Sequence, residues 1–415
     1  MESSPTFPPE LLGAIVAQVF SPADLLQLRA TNSTLNTFAT PRAFHSVRLA
    51  NRDKSIRVFK LLANSRLAPH VREVVFQYME LDPGTFVQDH STHVSRLIFV
   101  TGRMDTDRKG ETFPEYAPRG FDGTAFVGAL AHLTHLTALE SLVLNFRKDD
   151  GPFESDTDSD ARDRGFPSEI VLQFLIFKAL AEQPPGFVTP LKSLTVDKFL
   201  PLPHPSIGSQ SIIALLGNLN HLAIKTTTQC AAFPLTDPRV EWPIPHSLFQ
   251  KEVVPSSLVS LQLHHACVRS VDMLIPTSEV HLPHLERLSL QRTYFSEQKE
   301  DTLEDFIARH SGTLVELKIF LCPIALSTSS TSSVRPKRFR RWAQVWDRLN
   351  GDLKVLRNLV VSERHDSKGV EDAGSARYVD NCYRCNAVEL AKAEIVEDDS
   401  ALDRFQKVVE SRLAE

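Results

Sequence analysis

Cysteine is scarce in this chain, which has five cysteines among 415 residues. They are odd in number and mostly scattered, at Cys230, Cys267, Cys322, Cys382 and Cys385. A disulfide framework needs an even set at regular spacing, so we expect a reducing compartment, cytoplasmic or nuclear. The last two cysteines have the spacing of half a zinc site, but no second pair supplies the other two ligands, and we expect no metal.

Long apolar runs and an excess of positive charge are also missing. No stretch of about 18 apolar residues is present, and Pro8, Pro9 and Glu10 interrupt the first apolar segment, unlike a secretory signal. The formal net charge is −5, which provides no general attraction to nucleic acid or to an anionic membrane. We therefore expect neither of these as a partner.

Glycine is sparse too, with 16 residues in the whole chain. None of the motifs G-x-G-x-x-G, G-x-x-x-x-G-K-[ST] or G-x-S-x-G occurs, so neither a phosphate loop nor a nucleophile elbow is indicated. No nucleophile, base and orienting group stand at a recognised spacing. The sequence predicts a protein without catalytic residues and without a cofactor.

The N-terminal stretch predicts short apolar helices. Pro8 and Pro9 favour a helix start, and Ser21 followed by Pro22 and Asp24 indicates a second one. Thr40-Pro41 predicts the end of a third helix. Three helices in about forty residues bury little surface, so we expect part of it to await a partner, the alternative being a cap on the following domain.

This stretch, FPPELLGAIVAQVFSPADLLQLRATNSTLNTFATPRAFHSVRL from Phe7 to Leu49, resembles an F-box of the kind found in many fungal proteins. The resemblance lies in the Pro-x-Glu-Leu-Leu start, the Ser-Pro-x-Asp-Leu-Leu second helix and the Thr-Pro-x-x-Phe ending. It implies docking on a Skp-type adaptor and, through a cullin scaffold, membership of an SCF-type (cullin-RING) ubiquitin ligase. The residues that the resemblance places in or just behind that contact are Pro8, Leu11, Leu12, Ile15, Leu25 and Leu28.

A second pattern, Leu-x-x-Leu-x-Leu with Val, Ile and Phe variants, recurs along the chain. Copies begin at Leu191, Leu219, Leu258, Leu285, Leu314 and Leu356, another ends the stretch LTALESLVL that starts at Leu136, and weaker ones begin at Phe44, Val71 and Val94. Several starts lie 27 to 29 residues apart, as Leu258, Leu285 and Leu314 do, which is the period of a leucine-rich repeat. The predicted fold class is α/β: a leucine-rich-repeat-like solenoid, or horseshoe, preceded by a small three-helix F-box-like module.

Residues that alternate with the strand leucines should line the concave face of such a solenoid. These candidate partner-binding residues are Ser141, Val143, Asn145, Ser193, Thr195, His221, Ala223, Ser260, Gln262, His264, Arg287, Ser289, Gln291, Glu316 and Lys318. They carry mixed charge, so the sequence predicts a protein target without identifying it.

Composition divides the chain into three predicted parts. Residues 1–49 form the helical module, 50–385 the repeat domain and 386–415 a helical cap or tail, with polar insertions near 101–123, 147–168 and 326–341. The last insertion carries a basic cluster, for which nuclear import, an acidic partner and a solvated helix start all stay open: Arg335, Lys337, Arg338, Arg340 and Arg341.

Together these patterns predict a non-catalytic substrate-receptor subunit of the ubiquitin-conjugation pathway. Its contribution would be to hold a target close to the ligase. The alternative is a protein-interaction scaffold that acts outside any ubiquitin ligase.

Overall fold

The structure is a computed structural model. It describes residues 7–79, 123–146, 167–183, 191–199, 209–226, 257–265, 280–296, 303–326, 340–362, 377–380 and 392–414. Several sequence predictions lie outside these residues: the Cys382/Cys385 pair, the weak repeat at Val94, most of the three polar insertions and the first three basic residues of the cluster.

The first elements that the structure describes are three short helices that share a small apolar core. These helices are α1 (Pro9–Ala17), α2 (Pro22–Thr31) and α3 (Ser33–Ala43). The Ser21 hydroxyl accepts the backbone N–H of Asp24 at 3.4 Å, and the Asn32 side chain accepts that of Leu35 at 2.8 Å. Both contacts satisfy N–H groups that the first turn of a helix leaves without partners. The core of the unit consists of Val16, Leu25, Leu35 and Ala39.

Pro41 lies inside α3, so the predicted helix end at Thr40-Pro41 is wrong. The helix continues to Ala43. Tertiary contacts hold this last turn, because the Arg42 guanidinium donates to the backbone carbonyl of Val16 at 2.6 Å and Ala43 packs against the small core.

Within the described ranges, nine parallel strands form one sheet, and neighbours in the sheet follow the order of the chain. The strands are β1 (Ser46–Ala50), β2 (Glu73–Gln77), β3 (Ser141–Asn145), β4 (Ser193–Phe199), β5 (His221–Thr226), β6 (Ser260–His265), β7 (Arg287–Gln291), β9 (Glu316–Phe320) and β11 (Asn358–Ser362). A second, three-stranded parallel sheet lies beyond the last strands and consists of β8 (Phe295–Ser296), β10 (Ile324–Leu326) and β12 (Tyr378–Asp380). The predicted boundary at residue 49 falls within β1, which belongs to the large sheet.

Helices lie between the strands and at the C-terminal end. They are α4 (Asp53–Ala63), α5 (Gly123–Leu130), α6 (Pro167–Ala181), α7 (Gln210–Gly217), α8 (Leu303–Arg309), α9 (Trp342–Asp352) and α10 (Lys392–Ala414), with short 3-10 turns at Ala68–His70 and Ala131–His135. Their apolar sides and the inward leucines of the strands form one continuous core. None of the helices in the described ranges is long and apolar enough to cross a membrane.

The strands stack in register because each repeats the same inward leucine. Leu142, Leu194, Leu222, Leu261, Leu288 and Leu317 are partners in successive pairs and are all buried. The backbone repeats as well: the carbonyl of Arg72 accepts the N–H groups of Glu140 and Ser141 at 2.8 and 2.9 Å. The same double acceptance recurs before every later strand of the large sheet.

The predicted fold class is wrong in its specific form. The described residues form an open, all-parallel α/β sheet, and they show neither a horseshoe nor an F-box-like module. Solenoids stack units of about 20 to 45 residues. Ser46 and Glu73 on neighbouring strands are 27 residues apart, but Glu73 and Ser141 on the next pair are 68 apart. The recurring leucines specify which side of a strand is buried and which strands pair, and an open sheet covered by helices satisfies both requirements. Three short helices around four buried residues form a common arrangement that identifies no family by itself.

Candidate protein-interaction surfaces

The register of the sheet aligns the predicted partner-binding residues in three rows on one face. The first row is Ser141, Ser193, His221, Ser260, Arg287 and Glu316; the second is Val143, Thr195, Ala223, Gln262, Ser289 and Lys318. The third row contains Asn145, His264 and Gln291. We call this side of the sheet the polar face, since the inward leucines occupy the other side.

A groove of about 570 Å³ runs along the polar face across β4, β5, β6, β7 and β9. The remaining predicted residues are on the polar face but outside the lining of this groove: Ser141, Val143, Asn145, His264 and Gln291. Phe320, at the end of β9, lines the groove although the sequence analysis did not select it. The sequence could have indicated Phe320, because it lies two residues after Lys318 and residues two apart on a strand face the same side.

At each end of the polar face, neighbouring polar side chains form hydrogen bonds or ion pairs with one another. At one end the Ser46 hydroxyl donates to Glu73 Oε1 at 2.7 Å, and Ser141 donates to the other oxygen at 3.5 Å. At the other end Lys318 Nζ lies 2.5 Å from Glu316 Oε1, which also accepts from Asn358 Nδ2 at 3.3 Å. Both carboxylates are therefore already paired within the protein.

The centre of the face differs from its ends. No side-chain hydrogen bond or ion pair joins the following polar residues to any other residue that the structure describes: Ser193, Thr195, His221, Ser260, Gln262, Arg287 and Ser289. Partial burial, followed by the neighbouring charge of Arg287, lowers the pKa of His221. Donors and acceptors on four strands, β4 to β7, thus face the groove and are available to a bound molecule.

The second candidate surface lies on the N-terminal helices. Pro8 is exposed, and the side chains of Leu11 and Ile15 are 51% and 52% exposed. Leu12 and Leu28 are partly buried and pack on the small core. Leu25 is only 3% exposed, so it supports the surface from within that core.

Three more apolar side chains are exposed beside these residues. Phe7 is 65% exposed, Phe20 is 82% exposed and Leu26 is 47% exposed. The spacing of apolar residues does not separate exposed positions from core ones here, because three short helices can face each other in more than one way. Phe20 also borders a groove of about 460 Å³ between the helices and the first edge of the sheet.

Other candidate motifs have structural partners. Arg340 and Arg348 bind the buried carboxylate of Glu304, and Arg341 lies 2.9 Å from Glu397. Arg340 and Arg341, the two described members of the basic cluster, therefore fix the start of α9 through ion pairs. Within the described residues, no group of three or more histidine, cysteine or acidic side chains is placed to hold a metal ion.

A comparison with protein-family models finds no match to this chain, and neither does a search of curated proteins. The two surfaces and the sequence patterns are thus the basis for a functional argument. One surface is apolar and small, the other polar and extended.

Proposed function

We propose that this protein is a substrate-receptor subunit of an SCF-type ubiquitin ligase, in which α1 and α2 dock on a Skp-type adaptor and the polar face binds a protein target. The protein itself makes and breaks no bonds in this role. It raises the concentration of the target's lysines near the conjugating enzyme that the cullin scaffold carries.

The observation that carries the docking step is the apolar character of α1 on two sides. Leu12 and Val16 face the small core, while Leu11 and Ile15 lie on the solvent side at the i and i+4 spacing of neighbours on a helix. Glu10 is the only charged residue in this helix. A helix that is apolar all round is typically buried on both sides. The exposed side of α1, with Leu11 and Ile15, is therefore the surface that a partner would bury.

The resemblance between Phe7 and Leu49 supports the identity of that partner. The residues it assigns to the adaptor contact include Leu11 and Ile15, which are half-exposed, and Leu12 and Leu28, which pack against the small core. The polar face supports the second half of the role, since its central side chains lack partners among the described residues. Unlike the helices, this face has the hydrogen-bonding groups that select one protein among many.

The test is co-expression of the full chain with a Skp-type adaptor, followed by size-exclusion chromatography. We expect one stable complex for the unaltered chain and at least a tenfold weaker one for Leu11→Asp, because a carboxylate in an apolar contact loses its hydration. Leu61→Asp is the matched control. Leu61 is 73% exposed on α4, outside the predicted contact, and this variant should bind as the unaltered chain does.

The outcomes separate the proposal from its alternative. A folded full chain that forms no adaptor complex would exclude the ligase role and favour a protein-interaction scaffold outside any ubiquitin ligase. Equal loss of binding in both aspartate variants would show that the contact does not involve α1 specifically.

A further inference from the structure

We propose that the groove on the polar face binds an extended, acidic segment of the target protein, with a target carboxylate placed between Arg287 and His221. This inference rests on the proposed role of the polar face as the target-binding surface. It adds the chemical class of the segment that is recognised.

The register of three neighbouring strands sets the geometry of the carboxylate site. His221 pairs with Ser260, and Ser260 pairs with Arg287, so the serine lies between the other two in the first row. Neighbouring strands are about 4.8 Å apart, which leaves roughly 10 Å between the backbones of the two outer residues. A carboxylate above Ser260 can accept hydrogen bonds from the Arg287 guanidinium, the Ser260 hydroxyl and the His221 imidazole.

Charge complementarity favours an acidic occupant. Arg287 has no ion-pair partner among the described residues, although Glu316 is its neighbour in the first row. The Glu316 carboxylate instead binds Lys318 and Asn358. A target carboxylate at this place therefore meets an unpaired guanidinium. A target lysine there would be repelled by Arg287, and the nearby Glu316 carboxylate is already paired.

The dimensions of the groove favour an extended segment. It crosses five strands, a span of about 19 Å, which an extended chain covers in about six residues. Thr195, Gln262 and Ser289 line its second row and provide hydrogen-bonding groups for the backbone of such a segment. The open edges of the sheet are not involved, so recognition depends on side chains rather than on addition of a strand.

An array of immobilised ten-residue peptides of random sequence tests this inference on the full chain. Each peptide that contains Asp or Glu is paired with its Asn or Gln counterpart. We expect the acidic member to bind about tenfold more tightly, and Arg287→Gln to abolish that preference, since hydrogen bonds to charged groups are among the strongest. Arg57→Gln, which removes an exposed arginine of α4 outside the groove, should leave the preference unchanged.

Carbon–proton NMR of the histidine side chains provides the second measurement. The His221 signal is assigned by its absence in His221→Asn, and its pKa is then followed with and without an acidic peptide selected on the array. A bound carboxylate should raise the pKa of His221, opposite to the effect of Arg287. An unchanged His221 titration, equal binding of acidic and amide peptides, or an acid preference that survives Arg287→Gln would each overturn the inference.

The adaptor assay distinguishes failure of this inference from failure of the proposed function. Arg287→Gln should form the adaptor complex normally, and Leu11→Asp should keep the preference for acidic peptides. An adaptor complex without acid preference overturns the peptide class alone. Acid preference without an adaptor complex overturns the ligase role alone.

Discussion

At the scale of single residues, two buried histidines are held in their neutral form. His310 Nε2 accepts the backbone N–H of Leu282 at 2.9 Å, so Nδ1 is the protonated nitrogen that donates to the carbonyl of Phe306 at 2.7 Å. Burial lowers the pKa of His310 to about 4. Burial also lowers the pKa of His265 to about 3, with a smaller contribution from His264. Protonation of either buried ring to the charged imidazolium is therefore unfavourable in the folded protein.

These histidines predict a loss of stability at mildly acidic pH. Because their folded pKa values lie below the unfolded value of about 6.5, the unfolded chain binds more protons as the pH falls. Their stabilisation is complete above pH 6.5 and declines towards pH 4, by up to about 1.4 kcal/mol per pH unit for each histidine. Urea unfolding at pH 7.5 and pH 5 should show this decline in the free energy of unfolding.

His310→Gln isolates the effect from carboxylates that titrate in the same range. The variant should be less stable at pH 7.5 but should lose less stability on acidification than the unaltered chain. His284→Gln, at an exposed position, is the control and should keep the original pH dependence. An identical pH dependence in all three proteins would contradict the assignment to His310.

At the scale of elements, α10 holds the start of α9 through one buried carboxylate. Asp398 is 1% exposed and accepts the backbone N–H of Ala343 at 2.8 Å and the Tyr378 hydroxyl at 2.5 Å. The Trp342 N–H in turn donates to the Tyr378 oxygen at 2.8 Å. Arg341 lies 3.6 Å from the same carboxylate. The charge therefore occupies the positive end of α9, where it is favourable.

Asp398→Ala should destabilise the protein by about 3 kcal/mol, since it leaves the buried Ala343 N–H and the Tyr378 hydroxyl without their shared acceptor. Asp399→Ala is the matched control. That carboxylate is 51% exposed and pairs with Arg377 at 2.6 Å, and its loss should cost less than about 1 kcal/mol. Chemical unfolding of both variants measures the difference, and equal effects would contradict a capping role for Asp398.

The same elements show what the sequence can and cannot predict. Alternation of leucines locates β4, β6 and β7 and the residues on their polar side, because a side-chain period of two is a local property. The capping role of Asp398 depends on a contact between residues 55 positions apart, which no local pattern encodes. The curvature of the large sheet could not be predicted for a related reason, since it depends on the length and packing of every connection between strands. The ion pair between Arg341 and Glu397 could not be predicted either. The basic residues beside Arg341 in the sequence suggested nuclear import or an acidic partner as well as a helix start.

At the scale of the whole molecule, the hydrophobic core of the residues that the structure describes falls into two clusters. The core of the sheet is continuous from Leu49 to Val409, whereas Val16, Leu25, Leu35 and Ala39 form a separate one. Four buried side chains provide much less apolar burial than the sheet has, and α3 is joined to the sheet through few contacts near the turn at Ala68–His70. The three helices should therefore open at a lower free energy than the strands.

Hydrogen exchange of the full chain tests this division. Amide protons of α1, α2 and α3 should exchange faster than those of β5, β6 and β7, and a bound adaptor should slow them without slowing the strands. Leu25→Ala should accelerate exchange in the helices alone, because the cavity it creates lies in the smaller cluster. Leu288→Ala, in the centre of the sheet, should accelerate exchange in the strands. If Leu25→Ala accelerated exchange in both regions equally, the two clusters would form one cooperative unit, and docking at α1 would then affect the groove on the polar face as well.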